Sequence, residues 1–199
     1  MAATSALPAP PPLRSRTLLV GTVFSIASMV MVFGGLFGIY LRERSLTIRA
    51  TGSWIPDGAT IELAPPTVMT WTLILSAVTV QWAVYSIARD DRRHTYMAIG
   101  LTFLFGVAII NQTVFQWRQM GLAIDEVGNT TAAPLIYTIS GAFVVALVVG
   151  LVFLALMGFR ALAGQYSSRQ TDGIVAASMY WYTLVALYFI IWILIYITK

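Results

Sequence analysis

The chain has 199 residues, 58% of them hydrophobic and only 10% charged. Soluble domains carry about 25% charged residues, so this composition excludes one, and the length leaves room for a single bundle. The net charge of +4 comes mostly from arginines that flank apolar runs, where they hold loops at lipid headgroups; no nucleic-acid partner is expected.

In chain order, residues 1–16 form an Ala/Pro-rich tail with Pro10-Pro11-Pro12. It is expected to be disordered, because it can neither stay helical nor bury a core. Five apolar runs follow: Leu18–Leu41, Val68–Ile87, Tyr96–Trp117, Leu135–Phe159 and Ile174–Ile197. None contains Asp, Glu, Lys, Arg or His. Each has at least 20 residues, and a rise of about 1.5 Å per residue takes such a helix across roughly 30 Å of hydrocarbon. The expected fold is all-α, an integral membrane bundle of five transmembrane helices over residues 17–199. The first run has 24 residues and no small-residue cleavage site after it, whereas a signal h-region has about 7–15; it reads as a retained span.

The segment Arg42–Thr67 reads as the longest loop, with Trp54-Ile55-Pro56-Asp57-Gly58 as a turn and Pro65-Pro66 stopping any helix before the second span. The charged stretch Ala88–Thr95 predicts a tight turn between antiparallel neighbours and makes His94 a solvated loop residue. Arg118–Pro134, with Asp125-Glu126 and Gly128-Asn129, and Arg160–Gly173 are the remaining polar connectors. Arg14, Arg16, Arg89, Arg92, Arg93, Arg160 and Arg169 lie on the N-terminal side, against Arg42, Arg44, Arg49, Arg118 and Lys199 on the other. Seven against five favours a cytoplasmic N-terminus. Arginine outnumbers lysine 11 to 1, which points to a GC-rich bacterial genome and so to a bacterial inner membrane.

The chemistry-bearing residues are few. With no Cys and one His, disulfides, thiolate catalysis, Fe–S ligation and His-pair haem or copper sites have no ligands in this chain. The chain is therefore expected to bind no cofactor itself. Met29, Met31, Met69, Met97 and Met157 sit in apolar sequence without a partner ligand, which fits packing or lipid contact. Gly34 and Gly38, and Ala142 and Ala146, are small-x-x-x-small pairs that allow close backbone approach in lipid. Asn111, Gln112 and Gln116 form the one amide cluster within a span. Gln112 and Gln116 share a helix face, which should point at protein, because a buried amide needs partners. Amides alone supply no acid, base or nucleophile, so an interhelical contact is the expected role.

Several frames resemble subunit III of haem-copper oxidases in its five-helix bacterial form, over nearly the whole chain after the tail. The family's Ser-Glu-x-Met-x-x-x-Gly-Leu-Phe appears as Ser28, Met29, Met31 and Gly35-Leu36-Phe37, with Met29 at the buried Glu position. Trp54, Pro56 and Gly58 resemble its Trp-Pro-Pro-x-Gly turn. Leu101-Thr102 and Gly106 fit the third helix, where a Glu-aromatic pair reads Gln116-Trp117. In the fourth helix Ser140-Gly141 and Gly150 hold the frame while Phe143 and Ala146 replace two His. In the last, Tyr180-Trp181 stands, while Tyr182 and Val185 replace His and Asp. Packing residues match, and ionisable ones are gone.

The resemblance implies a non-catalytic structural subunit of a respiratory terminal oxidase (a cytochrome c oxidase), packed on catalytic subunit I beside other oxidase subunits and membrane lipids. Haem and copper would then reside in the catalytic partner. Helix-contact or lipid-cleft candidates are Met29, Gly34, Gly38, Gln112, Gln116, Trp117, Gly141, Ala146 and Trp181. A subunit III-like protein of nitric oxide reduction is the near alternative. A small transporter or channel is the distant one, which would need polar residues along several helices.

Overall fold

The computed structural model describes residues 16–55, 61–120, 122, 131–166 and 171–198. The tail over residues 1–15, Pro56, Asp57, Gly58, Asp125, Glu126, Gly128, Asn129 and Arg169 lie outside them. Among the described residues, five helices form an all-α bundle: α1 Thr17–Thr51, α2 Ala64–Ala88, α3 Arg92–Gln119, α4 Ala132–Leu162 and α5 Asp172–Ile191. A π-helical turn over Trp192–Ile197 continues α5. All five helices are long and apolar enough to cross a membrane.

Helix ends depart from the apolar runs in instructive ways. Arg42–Thr51, expected as loop, continues α1 as helix. Nothing in that stretch breaks a helix until Gly52, which caps it in the left-handed conformation (φ 80°) with its N–H donating to the Ile48 carbonyl at 2.9 Å. The 35 residues of α1 span about 52 Å, so its end projects well past the hydrocarbon. Pro65 and Pro66 do not stop a helix but open one. They occupy the first turn of α2, where a missing N–H costs nothing. His94 likewise belongs to the first turn of α3. Its backbone N–H and ring Nδ1 bond the Asp91 carboxylate at 3.2 and 2.6 Å, forming the helix cap. Those bonds, the backbone one first, hold the Asp91 carboxyl below the usual aspartate range.

Asp90 takes a positive φ of 57° in the tight turn before α3, a conformation a short polar side chain tolerates. The turn folds α3 back along α2, and this pair makes the most extensive helix contact. α5 packs on α1, α2 and α4, with 11 of its 20 residues buried. α1 buries only Thr22, Phe33 and Tyr40. Hence α5 is the central helix and α1 a peripheral one. The outer faces carry large apolar side chains such as Phe24, Met31, Trp71, Val145 and Phe159, as lipid or partner contact requires.

Candidate helix-contact site

At the centre of the bundle, Trp181 of α5 is fully buried. Its indole N–H donates to the Ser76 hydroxyl of α2 at 2.9 Å. Its ring edge also reaches α3, where a Cβ added to Gly106 would stand 2.9 Å from Trp181 Cη2 and 2.5 Å from Leu151 Cδ2 of α4. A single side chain on α5 thus meets α2 and α3, and glycine is what lets it fit against α3. A second close approach occurs at Gly150, whose added Cβ would meet Leu184 Cδ1 at 2.9 Å and Tyr180 Cε1 at 3.0 Å. The Tyr180 hydroxyl donates to the Ala146 carbonyl at 3.0 Å.

Further cross-links are neutral hydrogen bonds at helix interfaces. Thr79 of α2 and Thr102 of α3 join hydroxyls at 2.7 Å. Gln112 donates to the Pro65 carbonyl at 3.1 Å, and the Trp117 indole donates to the Ser140 hydroxyl at 2.9 Å beside Gly141. The Tyr182 hydroxyl donates to the side-chain amide oxygen of Gln81. At the far end, the Trp54 indole donates to the Tyr40 hydroxyl at 3.1 Å, and that hydroxyl donates to the Leu194 carbonyl at 3.3 Å. Gln116 is buried beside Tyr196. Such bonds satisfy polar groups in hydrocarbon and tie helices together at about 0.6–2 kcal/mol each.

The sequence candidates therefore occupy separate places. Trp181 sits at the centre; Gln112, Gln116 and Trp117 lie along one end of α3, and Ala146 lends its carbonyl to α5. Met29 is half-buried on α1, while Gly34 and Gly38 are exposed. Among the described residues, a Cβ at Gly34, Gly38 or Gly141 would meet nothing within 4 Å. None of the nine lines an apolar groove of about 260 Å³ between α3 and α4, bounded by Tyr96, Ile99, Gly100, Phe103, Gly158 and Phe159. Nor do they line one of about 560 Å³ between α1 and the bundle, bounded by Thr17, Gly21, Thr22, Val149, Phe153 and Tyr180. Sequence reasoning missed Ser76, Thr79, Tyr40 and the grooves. A hydroxyl within a span usually bonds back to its own helix, as Ser76 does to Leu73, and so gives no outward signal.

Among the described residues, no three His, Cys, Asp or Glu side chains could hold a metal ion. The described acids lie outside the apolar runs: Glu62, Asp90, Asp91 and Asp172 in connections or at helix starts, and Glu43 not in a loop but in the helical continuation of α1 beyond Leu41, paired with Arg42 at 2.7 Å. A hydrophobic carbodiimide attacks protonated carboxyls within the bilayer, and a buried, protonated carboxyl is its target. Treatment at neutral pH should leave this chain unlabelled, as peptide mapping would show. A modified acid would mean that its segment folds into a low-dielectric site.

The arrangement is a neutral, hydrogen-bonded helix scaffold, and comparison with known proteins agrees. The family model for cytochrome c oxidase subunit III matches residues 12–199. The chain is 24% identical over 180 residues to cytochrome c oxidase subunit 3 of Thermostichus vulcanus, covering 90% of this chain and 86% of that one. It is 29% identical over 192 residues to the Salmo salar protein of the same name, and 26% over 190 to that of Bos taurus. In both cases 94% of this chain covers 70% of the relative. With that match spanning the helices just described, the chain belongs to the cytochrome c oxidase subunit III family.

Proposed function

We propose that this chain is a non-catalytic structural and assembly subunit of a bacterial respiratory terminal oxidase. It packs on catalytic subunit I, which carries the haem and copper, and it holds membrane lipid at its outer grooves. The family match over residues 12–199 carries this reading. The physical chemistry supports it: the spans contain no ionisable side chain except tyrosine, and charge or convergent polar groups are what an intramembrane proton or ion path requires.

The outward faces favour partners. Gly34 and Gly38 leave a flat strip on α1 where, among the described residues, nothing lies within 4 Å of an added Cβ. Asn111 is exposed on α3, about 8 Å along the axis from the helix middle. An amide at that depth in lipid is costly unless a neighbouring helix supplies a hydrogen-bond partner. Met29, Gly34, Gly38 and Gly141 are accordingly assigned to the partner or lipid face, and Gln112, Gln116, Trp117, Ala146 and Trp181 to contacts that set the bundle's shape. The arginine distribution, seven against five, supports a cytoplasmic N-terminus for a chain in the inner membrane.

The test is affinity purification of the tagged chain from native membranes in mild detergent, with mass spectrometry of what accompanies it. The expected result is a catalytic oxidase subunit in stoichiometric amount. Recovery with a nitric oxide-reducing enzyme, or with no redox subunit, would overturn the reading.

A further inference from the structure

We infer that the groove between α3 and α4 holds an anionic phospholipid, with an acyl chain in the groove and the phosphate at Arg92 and Arg93. The inference rests on the reading that this chain holds lipid at its outer grooves, and adds which lipid class one groove selects and by which side chains. Glycine makes the groove. Gly158 of α4 comes so near α3 that an added Cβ would stand 3.2 Å from Ile99 Cγ2, so the two helices touch at the floor. Next to Ile99, a Cβ on Gly100 would meet nothing within 4 Å among the described residues. The space left is the apolar groove of about 260 Å³, with exposed Phe103, Phe159 and Leu162 as its walls. Tyr96 is the one polar side chain in the lining, and its hydroxyl already donates to the Ala161 carbonyl at 3.0 Å. A ligand that needs hydrogen bonds would lose them there, whereas hydrocarbon loses nothing.

Charge complementarity selects the occupant. Arg92 lies one helical turn before Tyr96, and Arg93 two turns before Gly100, so both share the face of α3 that lines the groove. Both stand just outside the apolar run that starts at Tyr96, at the depth of lipid headgroups. Arg92 also reaches across the mouth: its Nη1 stands 3.8 Å from where a Cβ on Gly164 would be, just past the end of α4. Among the described residues no ion pair takes up either guanidinium. Asp91, on which Arg93 acts, is bonded by His94 at 2.6 Å. A guanidinium fork matches a phosphate, and basic pockets between transmembrane helices bind anionic headgroups. A zwitterionic headgroup brings its own cation, which two adjacent arginines repel. A free phosphate has nothing to place in the groove. An anionic phospholipid satisfies both halves of the site at once.

Phosphatidylglycerol with a photoactivatable diazirine on its acyl chain, added to the full-length chain in its native complex in nanodiscs, tests this by peptide mapping. The expected result is labelling of the α3 and α4 peptides that carry Gly100 and Phe159. Excess unlabelled phosphatidylglycerol should reduce it several-fold, while the same excess of phosphatidylcholine or of inorganic phosphate leaves it in place. Arg92→Gln with Arg93→Gln should abolish that preference, and both residues are exposed, so the bundle's packing is untouched. Gly100→Leu, which enters open space, should block the labelling itself. Equal displacement by phosphatidylcholine in the wild-type complex would overturn the inference, and that comparison needs no variant to fold. Labelling along α1 with none between α3 and α4, as when a partner helix fills the groove, would overturn this inference alone and leave lipid at the other groove. Labelling at neither groove would remove lipid from the proposed function as well. The catalytic partner is decided separately, by co-purification.

Discussion

Replacing Trp181 with alanine should destabilise the bundle by about 2–3 kcal/mol, chiefly through the void it leaves. In lipid the transfer term is small, because the displaced atoms move between apolar surroundings, so lost packing dominates. At about 24 cal/mol per Å³, a residual void of roughly 100 Å³ accounts for most of that figure. The lost indole bond adds little, because the Ser76 hydroxyl still donates to the Leu73 carbonyl at 2.7 Å. Trp181→Phe should therefore cost markedly less, since it keeps most of the volume and loses the same hydrogen bond. Denaturant titration in mild detergent, with secondary structure followed by circular dichroism, measures both. Equal losses for Ala and Phe would show that the hydrogen bond outweighs the packing.

Gly106→Val is the complementary change, and about 3 kcal/mol of destabilisation is expected from overpacking. The first added carbon already falls 2.5 Å from Leu151 Cδ2 and 2.9 Å from Trp181 Cη2. Leu151 can change rotamer, whereas the Trp181 ring has nowhere to go. Gly106→Ala and Trp181→Phe should then couple. The double variant should lose at least about 0.5 kcal/mol less than the sum of the singles, because each relieves the other. Strict additivity would mean that the two residues do not share the contact.

The five spans were legible because charge is excluded from hydrocarbon, and this chain excludes it completely over each run. The same signal misplaced helix ends. Charge marks where lipid ends and not where a helix ends, so Arg42–Thr51 read as loop although its backbone had no reason to unwind. Pro65-Pro66 read as a stop because proline ends a helix from within, while in a first turn it starts one. The family frame was legible through Gly106, Gly150, Tyr180 and Trp181, and these positions make close helix approaches, with an added Cβ falling 2.5 Å from its nearest neighbour at Gly106 and 2.9 Å at Gly150.

What the sequence did not reveal were pairings. Thr79 with Thr102, Trp54 with Tyr40 and Trp117 with Ser140 each need two helices in register. Neither partner alone differs from the many hydroxyls and indoles that bond locally or face the interface. The small-residue pair Gly34 and Gly38 looks in sequence like a contact within the bundle. Its emptiness here is a property of the assembled surface, visible only once α4 and α5 are seen to pack elsewhere on α1.

This subunit is proposed to shape and hold an oxidase without carrying redox chemistry itself. Expression of the chain alone, followed by purification and visible spectroscopy with an oxygen electrode, tests it most directly. The expected result is a folded helical protein with no haem absorbance and no oxygen reduction, while the complex purified with its partners shows both. Stoichiometric haem retained by the isolated chain, or oxygen consumed by it, would contradict the claim.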